Sequence, residues 1–270
     1  MTKNPVVYFM DSEESKYIVG ELQKSDLASR VEFRELKKSD LIRIGRPHTS
    51  LFHPVQNRFP EYCALIWGSG KEHDVSLIMS PQTDFMKSVD DAHIDFKNGV
   101  TTELTGVNEC VHNSVLLHNY MHAKAIEVRG NLETDIEIVE CGPNKEKKLY
   151  IQHNGPSVFE NKASALLVHK SIDLDVVPGF PARYDWQNNP GAGFSLEELK
   201  SDLERVCEAN RVIRFDVGGL HLPTPEEVAK YGNRKINPRV DTKALEFAVH
   251  CYKVLLETYL SRVPELVVSR

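Results

Sequence analysis

The chain holds 270 residues, enough for one large domain or two small ones, and its 41% hydrophobic and 27% charged residues are ordinary globular proportions. A formal charge of −6 argues against a nucleic-acid binder, which needs a concentrated basic surface, and leaves room for a cationic substrate. Five scattered cysteines (Cys63, Cys110, Cys141, Cys207, Cys251) form no CxxC pair, no signal peptide opens the chain and no apolar run would cross a bilayer, so a reduced cytoplasmic setting without a membrane partner is expected.

The elements alternate in chain order. "PVVYFM" near the start reads as a short buried strand. "YCALIWGSG" reads as another, ending at a glycine-rich turn, and "FMKSV" leads into the polar run "DDAHID". "TDIEIVECGP" alternates and stops at Gly142-Pro143, and "KKLYIQH" is a weaker strand candidate. "SALLVHKSIDLDVVPG" is the strongest strand, apolar and β-branched, closed by Pro178-Gly179. The segment 181–193, "PARYDWQNNPGAG", reads as a surface loop near the site. It carries Tyr184 and Trp186 beside Asp185, which either line a groove or anchor the loop.

"SLEELKSDLERVCEANR" follows, with a capping box at Ser195 and Glu198 and apolar residues at helical spacing (Leu196, Leu199, Leu203, Val206, Cys207). "RVIRFDVGG" is a further strand, and "DTKALEFAVHCYKVLLETYLSR" a second clear helix. Strands alternating with helices imply an α/β fold, a three-layer αβα sandwich around a mostly parallel sheet, in one domain over residues 1–270. Ligands of such sheets gather at the carboxyl ends of the strands.

Three polar clusters stand where strands should finish: His73 in "GSGKEHDV", then Asp91, His93 and Asp95, then Asp173 and Asp175. In extended chain, residues two apart point the same way, so each set could converge. The four carboxylates would repel one another if buried together without cations, and two divalent ions balance them. Oxygen-rich ligation with two imidazoles suits Mn²⁺ better than a thiolate-loving zinc site. "WGSGKE" is not a phosphate-binding loop, because Leu65 stands at the first glycine position and Glu72 replaces the Ser/Thr.

"DAHID" at 91–95 and "SIDLD" at 171–175 resemble the two metal-binding motifs of the ureohydrolase superfamily, the arginase and agmatinase group. "GSGKEHD" stands where that group carries Gly-Gly-Asp-His. Within the superfamily the chain looks closest to the peptide arginases, which convert arginine to ornithine inside ribosomally made precursor peptides. That branch shares the order His73-Asp74-Val75, the 91–95 motif and Asn119-Tyr120. The Ser-Gly-Asn-Leu-His-Gly type loop, which holds the α-amino and α-carboxylate groups of free arginine, is not found here. The first 60 residues match nothing in the family.

The resemblance implies a three-layer arginase/deacetylase-like fold and a site for two Mn²⁺. Asp91 and Asp173 would bridge the ions, with His73 and Asp95 completing one and His93 and Asp175 the other. A water shared by two cations becomes a nucleophile toward the guanidinium carbon, and Asp95 would hold that water and pass a proton to the leaving amine. His118 and His122 are candidate proton shuttles, and polar residues of an ordinary loop or helix would look the same. Asn119 is a substrate-binding candidate. The glutamate that clamps the guanidinium in arginases has no counterpart in "FDVGGLHLPTPEEV", which offers Asp216, His221 and Glu226; Asp216 is the candidate clamp, and a structural carboxylate at a strand end would look the same.

The expected partner is therefore an arginine-containing peptide. The alternatives are hydrolysis of a free guanidino compound such as arginine or agmatine, a one-zinc deacetylase of the same architecture, and a non-catalytic metal-binding relative that binds a peptide.

Overall fold

The computed structural model describes residues 5–36, 41–44, 51–54, 63–66, 100–105, 125–129, 136–141, 147–153, 167–181, 194–209, 211–231 and 241–262. The chain opens with β1 (Val6–Met10), α1 (Glu13–Leu22) and β2 (Glu32–Leu36), a right-sized crossover unit whose two strands pair in parallel. Ser12 stops the strand and starts the helix: extended at φ −133 and ψ 157, it accepts the Ser15 amide on its hydroxyl at 3.1 Å. Glu13 and Glu14 complement the positive end of that helix, while Ile18, Val19 and Leu22 bury its apolar side. The sequence marked only the first strand of this unit, in a region that matched nothing in the family; the unit is an integral edge of the main sheet.

A two-stranded antiparallel hairpin, β3 (Leu41–Ile44) and β4 (Leu51–Pro54), stands apart from that sheet. The sheet continues with β5 (Cys63–Ile66), β6 (Val100–Thr105), β7 (Ala125–Arg129), β8 (Ile136–Cys141), β9 (Lys147–His153) and β10 (Leu167–Asp173). After α2 (Leu196–Ala209) come β11 (Arg211–Gly218), α3 (Pro225–Tyr231) and α4 (Thr242–Arg262). The nine strands lie in the order β2-β1-β5-β11-β10-β6-β7-β9-β8. Every described pairing in the sheet is parallel except β8 with β9. The expected α/β class with a mostly parallel central sheet is what the structure shows.

Of the sequence-read strands, those in "PVVYFM", "YCALIW", "TDIEIVEC", "KKLYIQH", "SALLVHKSID" and "RVIRFDVGG" form, and β2, β3, β4, β6 and β7 are additions. The segment "FMKSV" lies outside the described residues. Both expected helices form and both are capped. Ser195 and Glu198 make the reciprocal box: the Glu198 amide donates to Ser195 Oγ at 3.2 Å and the Ser195 amide to Glu198 Oε2 at 2.7 Å. Asp241 caps α4 by accepting the Ala244 amide at 2.8 Å.

The hydrophobic core lies between the sheet and α1, α2 and α4, with α4 packed against both other helices. Ile172, Phe215 and Val217 from the two middle strands meet Leu199, Leu203 and Val206 of α2 and Leu255, Leu256 and Tyr259 of α4. Burying one such side chain contributes about 1.5–3 kcal/mol, so this face anchors β10 and β11. Cys251 is part of it, and burial pushes its thiol up to about 12, an inert core residue as the scattered cysteines suggested. On β1, Val7 belongs to this core, whereas the alternate residues Val6, Tyr8 and Met10 are buried outside it. That strand is covered on both faces, as strands of a sandwiched parallel sheet are.

Candidate functional site

Alternation along β10 and β11 decides which side chains leave the core. Lys170 and Ile172 face the helices: Lys170 Nζ meets Asp202 of α2 at 2.9 Å, and Ile172 is core. Phe215 and Val217 do likewise on β11, Phe215 stacking on Tyr259 at 5.2 Å between ring centroids. Asp173 and Asp216 therefore project from the opposite face. Asp173 is registered with Gly218, and Asp216 with Ser171. The two acidic residues thus sit diagonally on neighbouring strands, about 8 Å apart by strand spacing and rise. Both are buried, at 2% exposure.

Asp173 is the last residue of its strand, at the carboxyl edge, where open parallel sheets place their ligands. The extended run assumed for "SIDLD" stops there. Leu174–Val176 close into a 3-10 turn, held by the Val177 amide donating to the Leu174 carbonyl at 2.9 Å. Asp175 lies in that turn, so its relation to Asp173 is not the period-two alignment of a strand. Pro178 and Gly179, the latter at φ 82, complete the reversal that the sequence marked.

The exit from β11 supplies the other wall. Gly219 adopts φ 116, a conformation that glycine takes without strain, and the chain turns into Leu220, His221 and Leu222. Three consecutive amides of this turn are held by three different elements. Leu220 donates to the Tyr252 hydroxyl of α4 at 3.3 Å, His221 to the Pro181 carbonyl at 3.1 Å, and Leu222 to Glu14 Oε1 of α1 at 3.3 Å. His221 itself is only 6% exposed. The two middle strands thus carry Asp173 and Asp216 toward their carboxyl edge, His221 lies in the turn after β11, and Glu14 and Tyr252 brace that turn.

Of the residues singled out from the sequence, the structure places Asp173, Asp175 and Asp216 at this edge. His73, Asp91, His93, Asp95, His118, Asn119 and His122 lie outside the described residues. The described residues on either side of the stretch that carries His73 and the 91–95 motif are Ile66, which ends β5 at the carboxyl edge beside β11, and Val100, which starts β6. Among the described residues no group of three His, Cys, Asp or Glu forms a metal site. Asp173 supplies one buried oxygen donor on the face away from the apolar core, of the kind a hard divalent cation takes.

Glu14, Lys170, Asp202 and Tyr252 were not read from the sequence. Glu14 had a signal: Ser12-Glu13-Glu14 after an apolar strand, followed by Ile18, Val19 and Leu22 at helical spacing.

No protein-family model matches the chain, and no curated protein matches it. Solved structures similar to it include an arginase and an arginase-like protein. Arginase from Bacillus subtilis is 13% identical, with 96% of this chain and 98% of that one covered and a TM-score of 0.47. A T. brucei arginase-like protein in an oxidized form is also 13% identical, covering 95% and 89%, with a TM-score of 0.43. A likeness at this level carries no argument about chemistry, which rests on this chain's own residues. Among the described residues, no helix is long and apolar enough to cross a membrane.

Proposed function

We propose that the chain is a manganese-dependent ureohydrolase that converts arginine side chains to ornithine and urea within a ribosomally synthesised precursor peptide. The observation that carries this reading is a buried carboxylate, Asp173, ending the middle strand of a parallel sheet, in a sequence that also holds Asp91-x-His93-x-Asp95. Gathering acidic side chains in a low-dielectric edge is unfavourable without cations, and two Mn²⁺ would offset the charge of Asp91, Asp95, Asp173 and Asp175. His73, Asp91, His93, Asp95, Asp173 and Asp175 would hold the ions. When bound, the ions supply the Lewis acidity that makes a water nucleophilic near neutral pH.

The chain's own groups do the rest. Asp95 would orient the water by a hydrogen bond and deliver its proton to the departing ornithine amine. Asp216, on the same face as Asp173, offers a carboxylate for the guanidinium. His118 or His122 would relay protons to solvent, and Asn119 would bind the substrate. The missing loop for free α-amino and α-carboxylate groups supports a peptide substrate. Supporting it too, the net charge of −6 suits a cationic side chain.

The test is mass spectrometry of an arginine-containing peptide incubated with Mn²⁺-loaded protein, with urea measured in parallel. Ornithine in the peptide together with urea, and neither from free arginine, is the expected result. Turnover of free arginine or agmatine alone would remove the peptide from the assignment. About one zinc per chain, instead of two manganese, would point to the deacetylase chemistry. Asp91→Asn should abolish turnover while the far-ultraviolet circular dichroism of the fold persists; unchanged turnover would overturn the metal assignment.

A further inference from the structure

The strand order marks one place on the carboxyl edge. From β1 the chain crosses to β2 on one side, whereas β5, β11 and β10 all lie on the other. The order therefore reverses at β1 and β5, and open parallel sheets hold their ligands outside the carboxyl ends of the strands at such a point. β1 ends at Met10 and α1 begins at Glu13, so the N-terminus of α1 stands there.

Glu14 reaches across this place. Its Oε1 accepts the Leu222 amide at 3.3 Å, in the turn after β11. β5 lies between β1 and β11, so the contact spans two strand spacings, about 10 Å, past the end of β5. The same turn follows Gly218, the register partner of Asp173, and is tied through the His221 amide to the Pro181 carbonyl beyond β10.

The Glu14 carboxylate has no cation of its own. Within residues 5–36, Asp11 pairs with Lys16, Glu21 with Lys24, Asp26 with Lys253 and Glu32 with Arg34. Glu13 and Glu35 are exposed. Of the acidic side chains in that segment, Glu14 alone is half-buried and outside any ion pair among the described residues. A carboxylate offers about four acceptor sites on two oxygens, and the Leu222 amide uses one. Asp216 lies two residues inside the end of β11 at 2% exposure, so Glu14 is the more open of the two carboxylates.

We propose that Glu14 is a substrate-binding residue: held by the Leu222 amide where the strand order reverses, its carboxylate receives the guanidinium of the arginine side chain and selects a cationic substrate. This role rests on the ureohydrolase reading above and deepens it. A guanidinium presents its N–H groups as a planar fork that matches a carboxylate. Glutamine at position 14 keeps an acceptor for the Leu222 amide and removes the charge. Glu13, the neighbouring acidic residue of the same helix turn, is exposed and is the matched control.

The experiment is steady-state kinetics of urea release from an arginine-containing peptide by the Mn²⁺-loaded full chain, its Glu14→Gln variant and its Glu13→Gln variant. Calorimetric titration of Mn²⁺ into each protein runs alongside. Losing a hydrogen bond to a charged partner costs roughly 10-fold or more in affinity. Glu14→Gln is therefore expected to raise KM about 10-fold with kcat and Mn²⁺ uptake little changed, the pattern of lost substrate binding. Glu13→Gln should keep the wild-type KM. A wild-type KM in Glu14→Gln, an equal rise in both variants, or a loss of Mn²⁺ uptake in Glu14→Gln overturns the role of Glu14 while the wild type remains active. Absence of urea from the wild-type chain overturns the ureohydrolase reading, and this role with it.

Discussion

Replacing Lys170 by Met should destabilise the protein severely, and replacing its partner as well should restore most of the loss. Lys170 is 0% exposed on the middle strand of the sheet, and its Nζ lies 2.9 Å from Oδ2 of Asp202, whose side chain is 2% exposed. Arg205 approaches the other oxygen at 3.8 Å from a side chain 48% exposed, so it offers a weaker, solvent-screened partner. In Lys170→Met the Asp202 carboxylate keeps its burial and loses its main counter-charge. Breaking such a pair from one side costs about 3–5 kcal/mol, because a desolvated charge is left behind. For a chain of this size each kcal/mol lowers the melting temperature by about 2–4 °C, so the variant should melt roughly 10 °C lower. Lys170→Met combined with Asp202→Leu removes both charges from the apolar layer, and such exchanges are neutral or stabilising. Thermal unfolding followed by circular dichroism measures all three proteins. A single variant within about 1 kcal/mol of the wild type, below the range for a broken buried pair, or a double variant as unstable as the single one, would refute the reasoning.

The cap of α2 should titrate. Hydrogen bonds from the Ser195 hydroxyl and amide hold the Glu198 carboxyl below its usual range, so its stabilisation is present above the unfolded pKa of about 4.3 and fades as pH falls through the folded value. The stability gap between the wild type and Glu198→Ala should therefore narrow in acid, and a gap independent of pH from 7 to about 3 would count against the charged cap. Ser15→Ala should stabilise the protein by about 1 kcal/mol: Ser15 Oγ is buried without a hydrogen-bond partner among the described residues, and alanine is the better helix former. A loss of stability in urea unfolding would show that the hydroxyl has a role there.

The alternation of strands and helices was legible because β10, β11, α2 and α4 bury continuous apolar surface, and their boundaries carry strong local chemistry. Ser195 with Glu198 and Pro178 with Gly179 each act over a few residues, so sequence alone locates them. The turn at Leu174–Val176 was not legible. Leu-Asp-Val-Val continues the apolar pattern of the strand, and only the packing of Leu174, Val176 and Val177 into the helix-side core makes the chain curl there. Strand β6, "VTTELT", lacks an apolar run and forms by pairing between β10 and β7, a non-local cause. The Lys170–Asp202 pair joins residues 32 apart, and neither position hints at the other.

These two middle strands carry charge on both faces, and the two faces solve the problem differently. On the helix side the charge is closed within the fold: Lys170 and Asp202 neutralise each other inside an apolar layer. On the other side Asp173 and Asp216 are both acidic and both buried, about 8 Å apart. Both lie near the carboxyl edge, where the turn after β11 is braced by Pro181, Glu14 and Tyr252. On the proposed reading, a rigid acidic edge of this kind would suit cations, because the apolar layer beneath would offset during folding the cost of assembling like charges. The same order explains why the N-terminal unit belongs to the functional argument. Through Glu14 the first helix holds a turn 208 residues further along the chain, so the edge exists only once both ends of the sequence have joined one sheet.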